Sequence, residues 1–466
     1  MTTGSAPAKV GSRMTDNLDS LVDVASSLVE RLRKLGVDTA EVSASSGWEL
    51  TTKVRLGEVE LVEEAGHRHI SLRAIRDSRV ALTSTSDLTD DGISRCISDA
   101  LELLTLSEPD PDAAPAAMAE LARPPFADFD LFDGSVSEVD AARAIVIAKS
   151  AESAAMAFDE RIQNSDGATF GRSLGYNAMV LSGGFVGTKR GTHASLVVTP
   201  VVEDENQKRR RGHYYSAARH LCDLESADSV GQQAASRTVR QLGSRSVKTC
   251  EAPIIFSPDA ARAIVGAFIG CAVGGSIWRR ASYLLSREGT RVASDLVTLV
   301  DDPFVIRGFG SRAFDGEGLA SRRNTVVENG IYVGPLLDCL SARKLGRTST
   351  ASAARNGGSL SASTSNLIMS AGSISEEELI ADTARGLYVT DMMGFGFNAI
   401  TGDFSRGASG FWIEHGKLSH PVSEVTISSN LDSMLKSIDA IAIAPPVKSS
   451  LVVPAFRINC MTIAGT

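Results

Sequence analysis

Disulfide pairs, metal-ligand signatures, nucleophile motifs and an excess of positive charge are all missing from this sequence, and each gap removes a class of function. Six cysteines in 466 residues (Cys96, Cys222, Cys250, Cys271, Cys339 and Cys460) form no CxxC pair and keep no regular spacing. That excludes a disulfide framework or zinc finger and fits reduced thiols in a cytoplasmic protein. None of the seven histidines lies in HExxH, and there is no GxSxG elbow and no GxxxxGK[ST] loop. Lysine and arginine number 47 against 56 acidic residues, a net charge of -9, so nucleic-acid binding by overall charge is not expected. Lys208, Arg209, Arg210 and Arg211 form one basic run, flanked by Asp204, Glu205, Tyr214 and Tyr215. It reads as a solvated hairpin tip, with a phosphate-binding patch as the alternative. The longest apolar stretch, 261–277, contains Arg262 and five glycines or serines, too short and too mixed to span a bilayer. The first 13 residues are small and polar with no apolar h-region, so no signal peptide is expected. Either Met14 is the natural start or the first residues are a flexible tail.

What is present is enough apolar residue to build a core: 43% hydrophobic and 22% charged, in a chain long enough for two domains or three. Leu18, Leu21, Val22, Ala25, Leu28, Val29 and Leu32 recur at helical spacing, predicting a helix over 17–35 stopped by Gly36. Four or five short strands are expected between 38 and 84, with turn signals at Ser46-Gly47 and Gly57. Asp87 or Thr89 can then cap a helix running to Leu104. The proline-rich stretch 107–125 reads as a loop or linker. Further helices are expected at 138–156, introduced by Ser137, and at 224–242, 257–272 and 429–441, with strands over 160–216. From about 250 the chain turns rich in Gly, Ser and Thr. Strands in runs rather than in single alternation with helices predict an α+β fold. The expected division is a tail over 1–16, an N-terminal helix-and-sheet domain over 17–245, and a mostly β, barrel-like domain over 246–466.

A hydrolase needs a nucleophile with a base, paired carboxylates, or a metal with an open position. His67 and His69 would share one face of a strand with Glu63 and Glu64 nearby, which makes a metal site conceivable; a solvated polar face is the blander reading. Cys271 ends an apolar helix with no histidine within ten residues, so it reads as a small buried hydrophobe. Gly394-Phe395-Gly396 and the glycines around 402–407 lack the strand–turn–helix frame of a dinucleotide site and suit tight turns. Residue chemistry alone therefore yields no self-sufficient catalytic set.

Several runs nevertheless carry a resemblance. Ser321-Arg322-Arg323-Asn324, Gly330-Ile331, Ser341-Ala342-Arg343-Lys344-Leu345-Gly346, the whole of 398–414, and His420-Pro421-Val422-Ser423-Glu424-Val425-Thr426-Ile427 with Asn430-Leu431 resemble the TldD/PmbA peptidase family. The run 398–414 is similar to its PmbA (TldE) type. In that family the TldD-type subunit carries an HExxxH zinc motif with a third, cysteine ligand near its C-terminus. Its heterodimer with the TldE-type subunit cleaves unfolded or leader peptides. The older description as a modulator of DNA gyrase implies only an indirect effect. Here the segment matching HExxxH is Gly266-Ala267-Phe268-Ile269-Gly270-Cys271. Gly266 stands at the first histidine, Ala267 at the glutamate and Cys271 at the second histidine. Around 446–450 there is no cysteine, and Cys460 follows in the expected last strand.

Glycine and alanine offer no ligand, and one thiolate cannot replace three; Ala267 also removes the general base. The resemblance therefore implies no catalytic residue and no metal in this chain, with zinc supplied by a TldD-type partner. The Gly-, Ser- and Thr-rich segments around 358–365 and 401–410 suit a peptide groove or interface, because small side chains let another backbone approach. Asn398, Thr401, Asp403, Ser405, Arg406 and Ser409 are its candidate residues, and the alternative is that they pin turns between strands. Arg406 is expected on an exposed turn, with a local pair to Asp403 as its structural alternative. Implied partners are the zinc subunit and a peptide or unfolded protein, with a homodimer when alone and neither nucleic acid nor membrane. Two other functions stay open: partner of an amide-bond hydrolase that matures a peptide-like natural product, and a homodimeric peptide-binding protein without catalysis.

Overall fold

The computed structural model describes residues 15–204, 207–356 and 358–465; of the tail expected over 1–16, residues 1–14 lie outside these. Helix α1 (Thr15–Lys34) buries Leu21, Ala25, Leu28 and Leu32, and Gly36, at φ +84°, ends it. Three long strands follow, not four or five short ones: β1 (Thr39–Arg55), β2 (Glu58–Arg76) and β3 (Arg79–Thr85). Only Gly57 turns the chain, together with Leu56, both at positive φ. Gly47 does not bend β1. It stays in register opposite His67 and Gly175, and its missing side chain leaves room for the His67 ring, which would lie 2.6 Å from a Cβ there.

Helix α2 (Asp90–Leu106) is capped by Thr89, whose hydroxyl accepts from the Gly92 N–H while donating to Asp87. After the short α3 (Gly134–Ser137), helix α4 (Ala141–Phe158) starts later than Ser137 suggests, because Asp140 accepts from the Arg143 N–H and takes the cap. Strands β4 (Ile162–Leu181), β5 (Phe185–Glu203), β6 (Arg209–Arg211) and β7 (Tyr214–Ala218) lead to α5 (Ala227–Val239). The strands make one antiparallel sheet in the order β3-β2-β1-β4-β5-β6, with β7 also on β5. Ala40, Val42 and Ala44 of β1 pack with α1 and α2, while Leu50 and Val54 pack with α4 and α5. All five share parity, so both helix pairs cover one face of the sheet at opposite ends. The other face looks toward the C-terminal half.

That half begins with β8 (Cys250–Phe256), α6 (Pro258–Cys271) and α7 (Gly274–Trp278). A small sheet is built from β9 (Leu299–Asp301), β10 (Asn324–Glu328) and β11 (Ile331–Tyr332). Helix α8 (Cys339–Lys344), the hairpin β12 (Ala353–Asn356) and β13 (Ser359–Ala362), then β14 (Leu367–Met369) and α9 (Glu376–Ala381) follow. Next come β15 (Arg385–Met393), β16 (Asp403–Glu414), β17 (Lys417–Asn430), α10 (Leu431–Lys436), β18 (Ile438–Ile441), β19 (Leu451–Val452) and β20 (Phe456–Ala464). The helix expected over 429–441 is thus only α10, since Ile438 and Ile441 are buried on a strand. The order β17-β16-β15-β8-β20 closes on itself through a β17–β20 pairing, giving a five-stranded barrel. Phe256, Val389, Phe404, Ile427 and Phe456 from its strands share one core with Ile264, Val265 and Phe268 of α6. The fold is α+β.

The halves are joined by buried charge. Glu41 of β1 accepts from Arg73 and from Arg355 of β12, each at 2.5 Å, and its side chain is 2% exposed. The stretch 107–125 is a strap rather than a free linker: Arg343 of α8 donates to the carbonyls of Asp112, Ala114 and Pro115. In the basic run, Lys208 pairs with Glu424, as a solvated tip would. Arg210, however, is inserted between Asp204, the Ser244 carbonyl and Ser423, so it fastens the sheet to β17.

Candidate functional site

Helix α6 carries the segment of interest. Ser257 caps it by accepting from the Ala260 N–H, Pro258 occupies its first turn, and Ala261, Ile264, Val265, Phe268 and Cys271 form its buried stripe. Gly266 and Ala267 lie beside that stripe, half-buried, and Gly270 is exposed. A Cβ at Gly266 would touch only Leu451 of β19, at 3.8 Å, and one at Gly270 would touch nothing within 4 Å. Room for larger side chains therefore exists above this turn, but no donor atom fills it.

Cys271 faces the other way, into the core. It is fully buried, its Sγ lies 3.7 Å from the Ala399 carbonyl, and burial pushes its thiol up to about 11. A thiol in that state is no ready metal ligand. The segment before β19 is held by Lys448, whose ammonium reaches the Tyr214 hydroxyl (2.7 Å), the Tyr215 carbonyl (3.1 Å) and Glu225 (2.7 Å). Among the described residues no group of three His, Cys, Asp or Glu side chains could hold a metal ion. His67 and His69 belong to no such group; the His67 ring lies over Gly47 instead. The donor set at α6 does not fit zinc.

The candidate groove residues separate into three places. Asn398 closes a turn by accepting from the N–H groups of Ile400 and Thr401. Thr401 donates to Asp403, which also accepts from Asn430; these bonds hold the Asp403 carboxyl below its usual range. Arg406 is not on a turn and does not pair with Asp403. It lies in β16 opposite Ile427 and donates through Nε (2.9 Å) and Nη2 (2.6 Å) to the Gly394 carbonyl. Ser405 is exposed on the same strand. Ser409 is apart from all of these, at a cleft of about 360 Å³ whose lining includes Arg237, Arg240, Glu376 and Tyr388.

Sequence reasoning missed what surrounds this loop. The β15–β16 connection passes beside Cys271, and with the last residue of β15 it leaves Met393 (56%), Phe395 (100%) and Ile400 (61%) exposed. A fully exposed phenylalanine between two glycines was the available signal.

A closed five-stranded barrel shares its core with α6 and is joined to a long antiparallel sheet, and comparison gives this architecture a class, that of a metallopeptidase family. Models of PmbA/TldA metallopeptidase domain 1, the central domain and the C-terminal domain match residues 40–104, 134–242 and 249–465. The chain belongs to the PmbA/TldD family. It is 34% identical to metalloprotease PmbA of Escherichia coli O157:H7 over 92% of both proteins. Against a PmbA homologue of Haemophilus influenzae it is 33% identical over 94% of both. A Bacteroides thetaiotaomicron crystal structure described as a candidate modulator of DNA gyrase superposes with a TM-score of 0.89 at 26% identity, covering 95% of this protein and 98% of that one. TldE of Thermococcus kodakarensis shares the fold, with a TM-score of 0.85 at 20% identity over 94% and 99%.

Proposed function

We propose that this chain is the non-catalytic, metal-free subunit of a heterodimeric peptidase that acts on unfolded or leader peptides, with zinc held by a TldD-type partner. The observation that carries the reading is α6. At the three positions of an HExxxH motif stand Gly266, Ala267 and Cys271, two without donor atoms and one turned into the core with its thiol protonated. No residue there can ligate a catalytic zinc or deprotonate its water. The exposed Met393, Phe395 and Ile400 beside this helix support a docking role, since exposed apolar clusters mark interaction surfaces; a homodimer formed by the lone subunit would cover the same cluster. A cytoplasmic location agrees with six free cysteines, and no helix among the described residues is long and apolar enough to cross a membrane.

The test is purification of the protein alone and after co-expression with a TldD-type protein. Alone it is expected to hold no stoichiometric zinc and to cleave no unfolded peptide; the co-purified pair gains both. One zinc per lone subunit, lost together with cleavage in Cys271→Ser, would overturn the reading.

A further inference from the structure

The face of the sheet turned toward the C-terminal half carries a cavity that neither the emptied zinc position nor the loop beside it explains. Its floor includes two glycines in register on adjacent strands, Gly175 of β4 opposite Gly191 of β5. A Cβ at Gly175 would meet nothing within 4 Å, so the backbone is open to the cavity there. The open cleft above it has a volume of about 500 Å³, and Lys189, Arg190, Arg219 and Arg312 line it together with His67, with no aspartate or glutamate in its lining.

None of these four cations is neutralised by a carboxylate among the described residues. Arg219 donates to the carbonyls of Thr192 (3.1 Å) and Phe309 (2.5 Å). Arg312 donates to the Ala353 carbonyl (3.1 Å); Asp315 and Asp301 act on it only at a distance. The Nε of both guanidinium groups is buried without a partner. Arg190 lies over the Phe132 ring, 4.5 Å from its centroid. Lys189 and Arg190 are both exposed, though protein packs closely around the Lys189 ammonium. That desolvation, reinforced by Arg312 and Arg219, pushes its ammonium below its usual range. Grouping like charges is costly unless a counter-charge enters. A carboxylate entering the cleft would favour the charged form of Lys189 and supply the cluster with a counter-charge.

A second cavity of about 480 Å³ shares the wall formed by Leu131, Lys189, Arg190, Ser311 and Arg312; the rings of Phe126, Phe129, Phe132 and Phe314 line it, with Asp128 and with Asp130, which is paired to Arg307. A cationic cleft beside an aromatic cavity is matched by a ligand with a carboxylate next to an apolar group. We infer that the paired cavities bind the carboxylate of a peptide, with a neighbouring apolar side chain seated among the phenylalanines. The inference rests on the peptide-handling role proposed above. The carboxylate can be the peptide's own C-terminus or an acidic side chain, and the chemistry at the cations is the same.

Binding of three fluorescein-labelled hexapeptides to the full-length protein decides it. One is apolar with a free C-terminus, one is the same peptide amidated, and one is amidated with an internal aspartate next to leucine. At least one carboxylate peptide is expected to bind tenfold or more tightly than the neutral one, and which does so identifies the source. Lys189→Met, which removes no hydrogen bond among the described residues, should abolish that preference without moving the melting temperature. Equal binding of all three peptides, no binding of any, or a preference untouched by Lys189→Met each overturns the inference. Zinc-dependent cleavage by the co-expressed pair is read separately. If cleavage is present with no carboxylate preference, only this inference falls; if the preference is present without cleavage, the heterodimer reading falls and this one stands.

Discussion

At the residue scale, burial decides which ionisable groups carry function and which carry stability. Glu317 is 4% exposed; desolvation, with Asp315 beside it, pushes its carboxyl from 4.5 up to about 7. The folded protein therefore keeps a proton between those two values that the unfolded one releases. Stability from this group is complete below pH 4.5 and declines as pH rises toward 7, by on the order of 3 kcal/mol. Glu317→Gln can still accept from the Cys339 N–H, which lies 2.8 Å from Glu317 Oε2, and should flatten that slope. Urea midpoints of both proteins at pH 5 and pH 7.5 measure it, and parallel losses would assign the slope to other groups. Cys271 shows the same force acting on a thiol. The sequence already marked it as a small buried hydrophobe, because no histidine stands near it.

At the scale of elements, the β15–β16 connection gives the sharpest test. Two charge-assisted bonds from Arg406 to the Gly394 carbonyl tie its first residues to β16, and Phe395 is the next residue along. Because the arginine is partly exposed, Arg406→Ala should cost only about 1 kcal/mol. On the heterodimer reading proposed above, loosening the loop should still weaken binding of a TldD-type partner several-fold. Phe395→Ser should leave the melting temperature unchanged and weaken the same binding at least as much. Calorimetric titration with the partner, beside melting curves, separates the two effects; unchanged affinity in both variants would remove this loop from the interface. Elements with local signals were legible beforehand: α6 between Ser257-Pro258 and Cys271, α1 with its apolar stripe, and the Gly57 turn. Those decided by distant contacts were not. Gly47 reads as a turn until His67 is found lying across it. Arg406 reads as exposed until Gly394 is brought beside it from twelve residues earlier. Lys189, Arg219 and Arg312 sit far apart in the sequence and meet only where the sheet faces the loop before β10.

At the scale of the whole molecule, Glu41 ties the two halves together. Glu41→Gln would leave Arg73 and Arg355 facing each other in a buried site, and removing one member of such a group costs about 3–5 kcal/mol. A matching fall in unfolding free energy by urea titration is the expected result, whereas a loss below about 1 kcal/mol would mean that water reaches the site. The same triad sets a timetable for synthesis. Glu41 and Arg73 emerge early from the ribosome, but Arg355 follows roughly 280 residues later, a delay of roughly 15 to 60 s at ordinary elongation rates. Once β7 ends at Ala218, the finished sheet carries a face whose counterpart has not been made, so the N-terminal half waits, incompletely sealed, for the strand that closes it.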